Sequence, residues 1–187
     1  MDKELIKNIQ LNNIPTEYRK WQTLQYYRGE VDFLPHLMKE KVCEQLMACD
    51  YMLGLQLWLK PVSVIYKRHK LIYVQQIASV YEAIIDSYLS KVIDEMIIVY
   101  PVLAETIINK RYTEYRTLST SLALMDKMGK IDLKWKKYIN KIAEVRNYIH
   151  LKKEEKEEVT TWLNARSSDD FKENLNRFII FARLKLR

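Results

Sequence analysis

An arginine, an asparagine and a histidine lie close together in the sequence, at Arg146, Asn147 and His150. An imidazole titrates near neutral pH and can move protons, whereas a guanidinium can hold a phosphate through two parallel hydrogen bonds. The amide of Asn147 could orient either the imidazole or the phosphate. Together these groups suit the cleavage of RNA by its own 2′-hydroxyl, a reaction that needs no metal ion.

The segment that carries these residues is predicted to be a single helix over residues 133–152, with Asp132 as its N-terminal cap. In such a helix Arg146 and His150, four residues apart, stand one above the other. They fall at the margin of an apolar stripe, so we expect both side chains to be half-buried. The stripe consists of Trp135, Tyr138, Ile142, Val145 and Ile149.

The other elements are also predicted to be helices, because apolar residues recur every three or four positions along most of the chain. The strongest seam consists of Val74, Ile77, Tyr81, Ile84 and Tyr88 and belongs to a long helix over residues 68–100, ended by Pro101. Other helices are expected over residues 2–11 with Asp2 as the cap, 17–28 with Thr16 as the cap, 35–60, 102–111, 113–128 with Gly129 as the stop, and 169–186 with Ser168 as the cap. A further helix is expected to start within residues 152–158. Residues 62–66 could form a connector or a short strand.

The composition supports one all-α domain over residues 1–187, an up-and-down helical bundle with long central helices. Among 187 residues, 48% are hydrophobic and 29% charged, as in ordinary globular proteins. Only three glycines and four prolines are present, which argues against a many-stranded sandwich or barrel. So few glycines also exclude the glycine-rich loops that cradle phosphates.

The cysteines and histidines indicate neither a disulfide nor a metal centre. Cys43 and Cys49 are interpreted as core residues of a protein in the reducing cytoplasm. The three histidines are scattered, so we expect no metal and no cofactor. The N-terminal residues lack the apolar centre of a signal peptide, and the apolar stretch 96–104 is too short to span a membrane.

The net charge of +7 is concentrated in residues 127–153, which hold nine basic and two acidic residues, whereas the rest of the chain is balanced. A local positive field attracts polyanions, although a solvated lysine-rich helix face is the commoner explanation. Lys136, Lys152 and Lys153 could extend an RNA track from the motif. On helical geometry, Lys134, Lys137 and Lys141 project mostly away from Arg146 and His150.

The motif and its context resemble the HEPN superfamily over about residues 68–152. The signature of that superfamily is an Arg, usually followed by a polar residue, and then a His on a late helix; Arg146, Asn147 and His150 match in type and order. The preceding long helix with an acidic residue, Glu82, is also similar. Three residues separate the Arg from the His here, fewer than is usual in the superfamily.

The resemblance implies a metal-independent endoribonuclease that works as a toxin or in phage defence. It implies a homodimer in which two motifs face each other across a cleft, and an antitoxin or a nucleotidyltransferase as a further partner. Under this interpretation His150 is the general acid and base, Arg146 holds the phosphate and Asn147 orients it. Glu82 would be a supporting residue.

Other charged residues are interpreted as structural. Glu82 and Asp86 lie four apart and could bind a metal or orient His150, but Asp86 is expected to be solvated. The basic residues 67–70 are assigned mostly to a loop, because cations are unfavourable at a helix N-terminus. His69 and His36 are likewise expected to be solvated loop residues.

Three functions remain open from the sequence. The first is the endoribonuclease. The second is a catalytically inactive HEPN-like module that binds RNA or a protein partner. The third is a plain helical scaffold in which Arg146 and His150 only stabilise the fold.

Overall fold

The computed structural model describes residues 22–56, 64–99, 101–107 and 117–186. These residues form α-helices packed against one another, with no strand among them, so the predicted all-α bundle is confirmed. The helices are α1 (Leu24–Glu30), α2 (His36–Gln56), α3 (Val64–Val99), α4 (Pro101–Ile107), α5 (Leu118–Lys127), α6 (Leu133–Arg146), α7 (Lys153–Asn164) and α8 (Ser168–Lys185).

Helix α3 is the element around which the others pack. It is 36 residues long and contacts α2, α4, α5, α6 and α8. The seam predicted from the sequence is buried along its whole length, and this part of the prediction is confirmed. Its members are Val74, Ile77, Tyr81, Ile84 and Tyr88. Burial of such large apolar side chains is the main source of the free energy of folding.

An aromatic cluster joins α3 to α6 and α8. The ring of Tyr81 lies 4.8 Å from that of Phe178 and 6.4 Å from that of Tyr138, measured between centroids. Trp135 of α6 packs edge-on against Phe178 at 5.3 Å. Tilted and edge-on pairs of this kind are favourable beyond the area they bury. The cluster therefore fixes how α6 sits on α3.

A buried carboxylate ties α1, α2 and α8 together. Asp50 of α2 accepts a 2.6 Å hydrogen bond from the Tyr27 hydroxyl and pairs with Lys172 at 2.6 Å. A buried charge is stabilised only when it is paired and hydrogen-bonded, and Asp50 has both kinds of partner. Cys43 and Cys49, also on α2, are buried and free, as expected for core residues, and burial raises the pKa of Cys49 to about 12.

Capping residues shift the predicted N-terminal boundaries of three helices. α1 begins at Leu24, inside the predicted range 17–28, because the Thr23 side chain accepts the Tyr26 N–H. α5 begins at Leu118 rather than near residue 113, because Thr117 forms a capping box with Thr120. α8 is capped by Ser167 and not by Ser168, which is the first helical residue.

The other predicted helix boundaries agree more closely with the structure, differ from it, or lie outside the residues that it describes. As predicted, α2 follows Pro35 and α7 starts within residues 152–158. The chain turns away after α5 at Gly129, which has a φ of +63°. Residues 64–66 of the supposed connector or strand belong to α3. The predictions for residues 2–11, for the Thr16 cap and residues 17–21, for 57–63 and for 108–116 lie outside the described residues.

No helix in the described ranges is long and apolar enough to cross a membrane. Within the same ranges, no group of three or more His, Cys, Asp or Glu side chains is arranged to hold a metal ion.

Substitutions at Tyr81 test the packing around α3. Its hydroxyl is buried and has no hydrogen-bond partner among the described residues, and burial raises its pKa well above the usual value. Tyr81→Phe is therefore expected to leave the free energy of unfolding unchanged or to raise it by up to about 1 kcal/mol. Tyr81→Ala should lower it by about 3–5 kcal/mol, because a large cavity forms in the core. Urea unfolding measures both changes, and a loss above about 1 kcal/mol in Tyr81→Phe would contradict this description of the hydroxyl.

Candidate active site

Helix α6 ends at Arg146, so the predicted continuous helix over 133–152 is wrong in its last turns. The N–H of Asn147 is shared between the carbonyls of Ala143 and Glu144, both at 3.1 Å, which tightens the helix at this point. Tyr148–His150 then form a 3₁₀ turn, and Leu151 is extended with φ −75° and ψ 152°. Asparagine favours such a helix end because its side chain competes with regular helical hydrogen bonding.

The break changes the relation between Arg146 and His150. A 3₁₀ turn has about three residues per turn instead of about 3.6, so the two side chains do not form a regular four-residue pair on one helix face. Arg146, Asn147 and His150 are all exposed, and the Arg146 side chain is 40% exposed. The expected half-burial therefore fits the Arg146 side chain and is wrong for His150, and all three groups can be reached from solvent.

Arg146 is held by Glu82, the residue that was predicted to support the motif. Arg146 Nη1 donates to Glu82 Oε2 at 2.6 Å, across 64 positions of the chain. The Glu82 side chain is only 23% exposed, so the carboxylate lies partly inside the bundle. The pair joins the end of α6 to the middle of α3.

Asp86 lies one turn further along α3 and is not simply solvated, contrary to expectation. Its carboxylate accepts a 2.8 Å hydrogen bond from Ser121 of α5. Successive carboxylates on α3 thus fasten two different helices, with Glu82 bound to α6 and Asp86 bound to α5. This places α5 and α6 side by side at the candidate site.

An open cleft of about 290 Å³ lies between these helices. Arg146 and Glu82 line it together with Asn147, the end of α6 and the first residues of α5. The remaining lining residues are Thr117, Leu118, Ser119 and Ala143. His150 is not among the residues that line the cleft. Thr117 and Ser119 were not selected from the sequence, although the Thr117-x-x-Thr120 capping pattern marks the start of α5.

The site has the chemistry of an anion-binding surface. A guanidinium carries several N–H donors, and Arg146 uses one N–H of Nη1 on Glu82. The ion pair therefore fixes the position of Arg146 while other donors can reach a phosphate. The Asn147 amide and the hydroxyls of Thr117 and Ser119 add neutral hydrogen-bonding groups.

The lysines proposed to extend an RNA track have different surroundings. Lys136 pairs with Asp126 of α5 at 2.6 Å, so its charge is matched within the bundle. Lys152 and Lys153 are exposed at the start of α7. Lys141 pairs with Glu144 at 2.8 Å and with Glu158 of α7.

The other basic and histidine candidates lie outside the cleft. Residues 67–70 belong to α3 and not to a loop, because that helix begins earlier, at Val64. Lys70 is buried and donates to the Arg166 carbonyl, while burial lowers the pKa of His69, which is not a solvated loop residue. His36 is the exposed first residue of α2.

Comparison of the chain with protein-family models, curated proteins and solved structures finds no match.

A double-mutant cycle tests the Arg146–Glu82 pair. Partly exposed ion pairs contribute about 0.2–1 kcal/mol, and we expect a coupling of about 0.5–1 kcal/mol between Glu82→Ala and Arg146→Ala in urea unfolding. Glu82→Ala combined with Arg177→Ala is the control, because Arg177 pairs with Glu173 instead. That control should be additive, and equal coupling in both cycles would show that the Arg146–Glu82 contact does not form.

Proposed function

We propose that this protein is a HEPN-like, metal-independent endoribonuclease whose catalytic residues are Arg146, Asn147 and His150. One observation carries the proposal. The three groups lie exposed within five residues at the end of α6, and Arg146 is fixed by Glu82 on the wall of an open cleft. The cleavage of RNA requires a phosphate-binding cation and a proton-transferring side chain, and the motif contains both.

In the proposed reaction the 2′-hydroxyl of a ribose attacks the adjacent phosphorus, and the bond to the 5′-oxygen of the next nucleotide breaks. His150 takes the proton from the 2′-hydroxyl, and a protonated imidazole gives a proton to the leaving oxygen. Arg146 stabilises the negative charge that develops on the phosphate oxygens. Asn147 orients the phosphate. The products are a 2′,3′-cyclic phosphate and a free 5′-hydroxyl.

The proposed active form is a homodimer. The reaction uses one base and one acid, whereas each copy supplies a single imidazole, His150, near the motif. A second copy that brings its own motif to the same phosphate provides the second imidazole. The exposure of Arg146, Asn147 and His150 leaves this end of α6 open to such a partner.

The biological setting proposed for this activity follows the HEPN resemblance. We place the protein in the cytoplasm as a toxin or a phage-defence effector, with an antitoxin or a nucleotidyltransferase as a further partner. The two buried free cysteines suit a reducing compartment.

One observation favours a second candidate, a catalytically inactive HEPN-like module that binds RNA or a protein partner. His150 lies in the 3₁₀ turn beyond α6 and does not line the cleft that contains Arg146. In such a module Arg146 binds phosphate without turnover.

Alanine variants of the motif separate the two candidates. With single-stranded RNA and a chelator present, Arg146→Ala and His150→Ala should each lower cleavage at least about 100-fold, because each removes a group used in the transition state. Chelation alone should change nothing. Specific activity should rise with protein concentration as dimers form.

Matched controls are Arg177→Ala and His36→Ala, which remove the same residue types at exposed positions away from the cleft. Both should keep full activity. Loss of activity on chelation, or full activity in both motif variants, would overturn the endoribonuclease proposal. RNA binding by the wild type without any cleavage would favour the binding module.

A further inference from the structure

The basic residues of the segment 127–153 include some that are paired with a carboxylate and some that are not. Arg146, Lys136 and Lys141 are each paired with a carboxylate. Lys130, Lys134 and Lys137 are exposed and form no ion pair with a described residue; we call these three the basic face. Part of the net positive charge is thus left uncompensated at the start of α6.

The position of the basic face is unfavourable for the helix itself. The N-terminus of a helix carries a partial positive charge, which favours acidic residues and disfavours lysines. The first turns of α7 and α8 follow this rule, with Glu154 and Glu155 in one and Asp169 and Asp170 in the other.

Helix α6 departs from the rule. Its first turn has no acidic residue, Lys134 lies within it, and its N-cap Asp132 makes no capping hydrogen bond through its side chain. Charges that oppose the stability of their own element are typical of binding surfaces, where function sets the residue type.

The basic face is separate from the cleft that holds Arg146. Lys137 and Arg146 are nine residues apart on α6, which corresponds to about 180° around the helix and about 14 Å along it. A ligand on the basic face therefore does not compete with a phosphate at Arg146.

The chemistry of the face suits a nucleic-acid backbone better than a membrane surface. An interfacial helix must insert its apolar side into lipid, whereas the apolar side of α6, with Ile139, Ile142 and Val145, is buried in the bundle. Lys134 and Lys137 are separated by about 4.5 Å along the helix axis, and their flexible stems can reach neighbouring phosphates of one strand.

We propose that the basic face of Lys130, Lys134 and Lys137 is a second RNA-binding surface, which holds the phosphate backbone of a substrate away from the cleft. The choice of RNA as the polyanion rests on the proposed function. The face contributes affinity and not chemistry, so its loss raises KM and leaves kcat unchanged.

Binding of a single-stranded RNA oligonucleotide tests the proposal, in protein that carries His150→Ala so that the RNA stays intact. Each lysine that binds a phosphate of a single strand contributes about 0.7 to the slope of log Kd against log salt concentration. The double change Lys134→Gln and Lys137→Gln should lower the slope by about 1.4 and weaken binding about tenfold or more at 0.1 M salt.

Lys141→Gln is the matched control for Lys134→Gln, because it removes one positive charge from the same helix but from a paired lysine. It should leave the slope unchanged. An equal loss in the two single variants would show that net charge alone matters and would overturn the proposal. Equally tight, lysine-dependent binding to phosphatidylserine vesicles would overturn it too, in favour of a membrane surface.

Lys134→Glu separates this role from a structural one. The substitution places an acidic residue in the first turn of α6, so the thermal midpoint should rise while RNA binding weakens. A fall in both would contradict the proposal. The double lysine variant is also tested in a chain that keeps His150. If it cleaves RNA with an unchanged KM, the second RNA-binding surface is overturned and the endoribonuclease proposal stands. If the wild type binds RNA through these lysines but does not cleave it, the endoribonuclease proposal is overturned and the second surface stands.

Discussion

Burial of one face of α3 is the constraint on which the rest of the structure depends. Apolar side chains recur every three to four residues along this 36-residue helix and form one continuous apolar surface. The neighbouring helices pack on this surface. Tyr81 lies at its centre and packs against aromatic rings of α6 and α8. The flank of the same helix carries Glu82 and Asp86, so the packing that buries Tyr81 also sets where these two carboxylates meet Arg146 and Ser121.

The seam of α3 could be predicted from the sequence, because burial imposes a helical period that residue types reveal directly. Helix ends were less predictable, since they depend on which of several nearby polar side chains makes the cap: Ser167 caps α8, where Ser168 was expected. The break after Arg146 was missed for a related reason. The apolar stripe continues past Asn147, and periodicity alone does not register the hydrogen-bond change that ends α6 there.

In the candidate site, too, some features could be predicted from the sequence and others could not. Arg146, Asn147 and His150 could be selected by type and spacing, whereas Glu82 was preferred to Asp86 only because of the HEPN resemblance. The burial of these side chains could not be predicted, because it depends on how α5 and α6 are fastened to α3. The pairing of each lysine was equally hidden, since Asp126 and Glu158 lie on other helices from the lysines they neutralise. This pairing distinguishes Lys136 and Lys141 from Lys134 and Lys137, the two lysines of α6 that belong to the basic face.

In the proposed reaction RNA is cut by its own 2′-hydroxyl, with protons moved by an imidazole and negative charge stabilised by Arg146. The most direct measurement is the mass of the fragments released from a defined single-stranded RNA incubated with the wild-type protein and a chelator. We expect fragments that end in a 2′,3′-cyclic phosphate and begin with a 5′-hydroxyl, and no cut where the attacking ribose is replaced by deoxyribose. Fragments with a 5′-phosphate and a 3′-hydroxyl, or an intact RNA, would contradict it.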